Sequence, residues 1–273
     1  MNERLLCILA GAAVLTGPSL SAAEPAKSIA VPKFPKEAQL VERVLVPVPS
    51  EVFAVLDKLG KPNWPEVLRP QKGMAAPSGG KEQISLLLGV VIAEGFVAVE
   101  AENAEEVKNI GNSVRSLAKA IGVEKAVSRR ANSIVEFAEK RRWADVRREL
   151  DLALTDVRQA MIELNSESLA QLVSLGGWLR GTEALATVVT KNFSKDGAEL
   201  LHQPVLADHF QVRLEAMPEA SRKGPLISKI HSALQSIRPL MGAGENAVIS
   251  EKDAREIGRI CADVVAAVNS KAK

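Results

Sequence analysis

An almost unbroken helical pattern over residues 81–269 is the feature that most constrains the fold of this chain. In its last segment, apolar side chains recur at one-turn spacing and form one face of a 3.6-residue helix. Convincing two-residue alternation is lacking, and only residues 44–48 resemble a strand. The sequence therefore predicts an all-α fold, a compact bundle of about eight or more helices. The apolar positions of that last segment are Ile257, Ile260, Cys261, Val264, Val265 and Val268.

Prolines and glycines separate this helical part from a proline-rich N-terminal extension. Residues 24–35 contain three prolines, and residues 61–80 contain four prolines and three glycines. Such segments interrupt regular structure, and they leave room only for short helices over residues 36–45 and 51–59. We therefore expect residues 24–80 to form a linker with short helices, and residues 81–270 to form a single helical domain.

The first 23 residues have the pattern of a secretory signal peptide. A short segment ending in Arg4 precedes an apolar run over residues 5–16, and small residues lead up to a cleavage site near Ala23. The apolar run is too short to anchor the chain in a bilayer, and no cysteine stands near the cleavage site to accept a lipid. The sequence predicts an exported protein, periplasmic or extracellular after cleavage and not membrane-spanning.

Cleavage changes the cysteine inventory but leaves the charge balance as it is. Cys7 is removed and Cys261 remains alone, so the mature chain forms no internal disulfide. Glu3 and Arg4 are removed together, and the net charge stays at +2. A nearly neutral chain lacks the basic surface that binding of nucleic acid requires. We therefore expect no nucleic-acid partner.

The chain carries no complete catalytic motif. Residues 78–81 (SGGK) lack the preceding strand, the glycine spacing and the hydroxyl residue of a phosphate-binding loop. Glu199 and His202 form half of a di-metal Glu-x-x-His pattern, but no second copy of the pattern occurs. Asp208 and His209 are the other weak metal candidates, beside His202. We predict no cofactor and no metal site.

Two charged residues stand inside the most apolar segments of the mature chain. Glu94 lies within residues 84–100, and Arg180 lies within residues 174–189. The apolar stretch at residues 86–99 is too short to span a bilayer, so the first segment should be a buried core helix. A buried charge needs a partner. We predict that Glu94 and Arg180 pair where these two helices pack.

Glycines predict where the two helices meet. Gly177 and Gly181 are one turn apart and form a groove that a neighbouring helix can approach closely, although a glycine inside a helix costs about 1 kcal/mol relative to alanine. Gly89 and Gly95 give the other helix small positions of its own. We therefore expect close packing of these helices at their glycines.

These features favour a non-enzymatic exported protein that binds a partner or ligand, or has a structural role. The partner is an unidentified protein or small molecule. The alternative is an enzyme with a dispersed site, built on Glu94 or on Glu199 with His202. The predicted polar cluster forms either a structural ion pair or the floor of a ligand pocket. Its members are Glu94, Arg180, Glu183 and Trp178.

Overall fold

The structure, a computed structural model, describes residues 62–69, 79–244 and 247–270. All of them belong to one compact unit, residues 45–273. They form eleven helices and no strand, which confirms the predicted all-α class. The predicted signal peptide and the predicted helices over residues 36–45 and 51–59 lie outside the described residues. The helices are α1 (Trp64–Val67), α2 (Lys81–Glu100), α3 (Ala104–Ala120), α4 (Glu124–Glu139), α5 (Trp143–Glu163), α6 (Glu167–Lys191), α7 (Lys195–Glu199), α8 (Pro204–Glu215), α9 (Glu219–Arg222), α10 (Pro225–Leu240) and α11 (Glu251–Asn269).

Helices α2 and α6 form the centre of the fold and share its most extensive helix–helix contact. Both are apolar on nearly every side, so both have to be enclosed by other helices. Among the described helices, α2 alone is long and apolar enough to cross a bilayer, but 72% of its most apolar window is buried within the fold. The helix is longer than the apolar stretch at residues 86–99, so the argument from length is wrong. Its burial and its packing against α6 make it a core helix.

The remaining helices cover this central pair on two sides. On one side α3 packs on α2, α4 on α3 and α5 on α4, and α5 returns to contact α2 and α6. On the other side α11 packs on α6, α10 packs on α11, and α8 contacts both α10 and α6. The core therefore runs from the α2–α5 group, through the central pair, to the α8, α10 and α11 group.

Three helices begin at asparagine or serine residues, whose short polar side chains suit the N-cap position. Asn103, Ser194 and Ser250 each accept a hydrogen bond from a backbone amide in the first turn of α3, α7 and α11, at 3.0, 3.0 and 3.1 Å. Helix α9 has only four residues, and Pro239 is accommodated one residue before the end of α10.

The close approach of α2 and α6 occurs at glycines, as predicted, but not at every glycine that the sequence indicates. Gly89 faces the backbone of α6 at the carbonyl oxygen of Val173 and the amide of Gly177, and Gly176 faces the carbonyl oxygen of Leu86 on α2. A β-carbon at Gly89 or Gly176 would lie inside the contact distance of these backbone atoms. Among the described residues, no heavy atom of another element lies within 4 Å of the position of a β-carbon at Gly181. The predicted role of Gly181 in the groove is therefore wrong, and Gly176 takes that role.

Candidate functional site

Glu94 and Arg180 form the buried ion pair that the two apolar helices require. Arg180 Nε donates to Glu94 Oε2 at 2.6 Å, and each side chain is only 2% exposed. Arg180 is among the largest fully buried side chains of the described residues. The predicted contact is present, and it joins the midpoints of α2 and α6. Charges buried this deeply are stable only when both are paired and hydrogen-bonded.

The segment over residues 62–69, which contains α1, completes this cluster. The Nη2 atom of Arg180 donates to the backbone carbonyl oxygen of Val67 at 2.8 Å. The backbone amide of Arg69 donates to Glu94 Oε1, and the Arg69 guanidinium donates to Glu183 Oε1. The ion pair therefore holds the backbone of this segment from both sides, one group donating to it and the other accepting from it.

Glu183 is the least satisfied member of the cluster. Its Oε2 atom lies 3.7 Å from Arg180 Nη1, too far for a hydrogen bond, and has no hydrogen-bond partner among the described residues. Burial raises the pKa of Glu183. The positive charges of Arg180 and Arg69 oppose this rise, and the negative charge of Glu94 adds to it. This carboxyl group therefore holds its proton more tightly than an exposed glutamate does.

Trp178 lies on the same helix but belongs to a different contact. Its indole N–H donates to the side-chain oxygen of Gln203 at 2.8 Å, and its ring lies 5.5 Å from that of Phe210. These contacts fix α6 against α8 and the turn before it. The side chain that joins Glu94, Arg180 and Glu183 in the polar cluster is that of Arg69, and the contacts of Trp178 are with Gln203 and Phe210.

The weak metal candidates do not assemble into a site. The Nδ1 atom of His202 lies 2.7 Å from the carbonyl oxygen of Met241, and Asp208 forms an ion pair with Arg238 at 2.6 Å. Burial lowers the pKa of His209, and Arg213 adds to this effect. Among the described residues, no group of three or more His, Cys, Asp or Glu side chains is arranged to hold a metal ion. The metal candidates were Glu199, His202, Asp208 and His209.

Cys261 is the free cysteine of the described residues, and it is fully buried on α11. Burial raises the pKa of its thiol, and the charge of Glu183 adds to this effect. A thiol that stays protonated is a poor nucleophile. Cys261 is therefore a core residue, as its position on the apolar face of the helix predicts.

These contacts describe a site without a precedent to interpret it by. Comparison with protein-family models, with curated proteins and with solved structures finds no match. The function of the chain therefore has to follow from the chemistry of its own residues and from the shape and lining of its cavities.

A crevice of about 80 Å³ lies between α2, α3, α4 and α5. Every side chain that lines it is apolar or a glycine, so it offers neither charge nor hydrogen bonds. Several lining residues, among them Phe96 and Ile134, are half-buried, because the crevice opens towards solvent. It is lined by Ile92, Gly95, Phe96, Val99, Val107, Ile110, Gly111, Val114, Val127, Ala131, Ile134, Leu150, Ala153 and Val157.

Two parts of the site escaped prediction from the sequence. Arg69 lies in a proline-rich segment whose pattern predicts an irregular connection, and only Trp64 and Val67, one helical turn apart, indicate that the segment packs on a core. The crevice arises from the positions of four helices relative to one another. No single helix carries a signal for it, since its lining residues read as ordinary core positions.

Proposed function

We propose that this chain is an exported, non-enzymatic helical protein that binds a small apolar molecule, or the hydrocarbon part of a larger one, in the crevice between α2 and α5. The observation that carries the proposal is the composition of the crevice wall, which contains no ionisable side chain. Ligand sites are predominantly apolar, and a few polar groups normally fix the orientation of the ligand. A wall without polar side chains favours a ligand that is bound only through burial of its apolar surface.

The partners and positions of the polar residues support a binding role over catalysis. Glu94 and Arg180 are occupied by each other and by the segment over residues 62–69. The three principal cavities of the described residues are lined without Glu94, Glu199 or His202. A catalytic acid or base must reach its substrate within hydrogen-bond distance. Of the residues that a dispersed active site would use, Glu94 is therefore buried and paired, and Glu199 and His202 lie outside these cavities.

The physical properties of the crevice suit an apolar ligand. Water needs two to four polar partners to occupy a cavity stably, and an apolar cavity stays dry. A ligand that fills such a space gains about 0.8 kcal/mol for each methylene group it buries. Because the crevice opens to solvent, a hydrocarbon chain can enter it while a polar end stays in water.

The hairpin of α4 and α5 provides a route of entry. Helix α4 buries only Val127, Ala131 and Ala138, far fewer side chains than α2 or α6 buries. Elements with few buried apolar contacts open locally at a lower free-energy cost than the core. Opening of this hairpin widens the mouth of the crevice and leaves the central helix pair intact.

Binding is tested with a series of neutral n-alcohols from hexanol to decanol, measured by isothermal titration calorimetry on the mature protein. We expect affinity to increase about fourfold per added methylene group until the crevice is full, because each buried methylene contributes about 0.8 kcal/mol. Substitution Ala153→Leu places a larger side chain in the crevice and is expected to weaken binding of the longest alcohol by about tenfold, or about 1.4 kcal/mol.

The matched control is Ala144→Leu, the same exchange at an exposed position of the same helix. This variant should bind the alcohols as the unmodified protein does. Absence of binding by the unmodified protein, or an equal loss in both variants, would contradict the proposal.

Export is tested separately, at the predicted cleavage site. Protein recovered from the periplasm or medium of a producing bacterium is expected to begin at Glu24, as read by N-terminal sequencing. Signal peptidase requires small residues one and three positions before the cleaved bond, so Ala23→Phe should block cleavage. Ala22→Phe, at the position between them, should leave cleavage unchanged. Recovery of an exported protein that still begins at Met1 would refute the signal peptide.

A further inference from the structure

The segment over residues 62–69 packs on α2 and α6 in the way that a bound peptide does. Its single helical turn is too short to be stable alone, because the first turn of a helix is unfavourable to form. Trp64 and Val67 are only 5% and 8% exposed and fill the groove between the two helices. Lys191 forms an exposed ion pair with Glu66 at one end of the segment. The conformation of this segment is therefore imposed by the groove.

The groove binds the backbone of the segment as well as its side chains. Arg180 donates to the carbonyl oxygen of Val67, and Glu94 accepts from the amide of Arg69. These two backbone groups occur in every peptide, so the contacts give affinity without depending on sequence. Selectivity comes from the side chains of Trp64, Val67 and Arg69, which are two apolar groups and one cation.

The charge of the groove is complementary to this occupant. Glu94, Arg180 and Glu183 together carry two potential negative charges and one positive charge. The segment supplies the second cation, because the Arg69 guanidinium contacts Glu183 Oε1. The other oxygen of Glu183 is buried and lacks a hydrogen-bond partner among the described residues. A buried acceptor without a hydrogen bond costs stability, and the contact of Arg69 with the same carboxylate offsets part of that cost.

From these contacts we infer that the groove between α2 and α6 is a peptide-binding site for the pattern Trp-x-x-Val-x-Arg, and that residues 62–69 of the same chain are its resident ligand. The site is separate from the apolar crevice and does not depend on the function proposed for it. In this arrangement Glu94, Arg180 and Glu183 bind the peptide. The N-terminal extension is held to the bundle through a contact that can be released.

The test uses the full chain and a fluorescein-labelled peptide of residues 62–69, PNWPEVLR. A variant with Trp64→Ala and Arg69→Ala vacates the groove. We expect this variant to bind the peptide at least about tenfold more tightly than the unmodified protein does, because a tethered segment competes at an effective concentration of order millimolar. A peptide with alanine in place of its Trp and Arg should not bind. Equal binding to the vacated and unmodified proteins, or equal binding of both peptides, overturns the inference.

A second measurement on the unmodified protein covers the case in which the vacated variant does not fold. Hydrogen exchange reports whether the segment opens separately from the core. The amide of Arg69, which donates to Glu94, is expected to exchange at least about tenfold faster than the slowest amides of α2 and α6. Exchange of residues 62–69 only at the rate of global unfolding would make the segment an integral part of the core and would overturn the inference.

Discussion

Replacing Arg180 by leucine is expected to lower the free energy of unfolding by about 3–5 kcal/mol, the cost of removing one partner of a buried ion pair. The side chain of Glu94 is only 2% exposed, and the substitution would remove its cationic partner. The carbonyl oxygen of Val67 would lose its donor in the same substitution. A loss of this size is a large fraction of the total stability of a typical domain, about 5–15 kcal/mol. Urea unfolding followed by circular dichroism measures it.

The double variant Arg180→Leu, Glu94→Leu separates the cost of an unpaired charge from the value of the pair. Buried ion pairs replaced by apolar residues of similar volume are often neutral in stability. We expect the double variant to recover at least half of the loss of the single variant, because the Glu94 carboxylate is removed together with its partner and Glu183 keeps its contact with Arg69. A double variant less stable than the single variant would show that the pair itself stabilises the fold.

Arg259→Leu is the surface control for this experiment. Arg259 forms ion pairs with Glu256 and Asp263 on α11, but its side chain is 60% exposed. Water solvates a carboxylate left alone at such a position, so the unfolding transition should stay nearly unchanged. Similar losses for Arg180→Leu and Arg259→Leu would contradict the interpretation that burial determines the effect.

The ion pair can be predicted from the sequence because it depends only on the composition of two short segments. Glu94 and Arg180 are charges of opposite sign inside the two segments that are apolar on every side, and the apolar segments must be buried together. The cost of a lone buried charge then requires that they meet. Helix starts at Asn103, Ser194 and Ser250 follow for a similar reason, since a cap depends on residues three positions apart.

The rest of the site depends on tertiary geometry that no local pattern encodes. Arg69 reaches Glu183 across 114 positions of sequence, from a segment whose prolines indicate only a break in regular structure. Trp178 lies two positions before Arg180, but a helix turns by about 100° per residue and thereby directs the two side chains to different neighbours. The crevice between α2 and α5 likewise depends on how four helices are spaced.

The roles of the glycines in α6 also depend on tertiary geometry, and substituting one of them is expected to change the stability of the protein strongly. Gly176→Ala is expected to destabilise the protein by about 3 kcal/mol or more, at or beyond the upper end of the usual cost of overpacking. The added methyl group would overlap the carbonyl oxygen of Leu86, which is backbone and cannot rotate away. Relief requires α2 and α6 to separate, and these helices share the most extensive contact in the fold. Urea unfolding of the purified variant measures the loss.

Gly181→Ala on the same helix is the matched control, and the opposite sign is expected. In the part of the chain that the structure describes, no heavy atom of another element lies within 4 Å of the added methyl group, so no described neighbour has to move. Alanine is favoured over glycine inside a helix by about 1 kcal/mol, and this variant should therefore be more stable than the unmodified protein by up to that amount. The sequence pattern favours the opposite assignment, because Gly181 lies one turn from Gly177 and Gly176 does not. Effects of the same sign at both positions would contradict the contact of Gly176 with Leu86, and with it the close approach that brings Arg180 to Glu94.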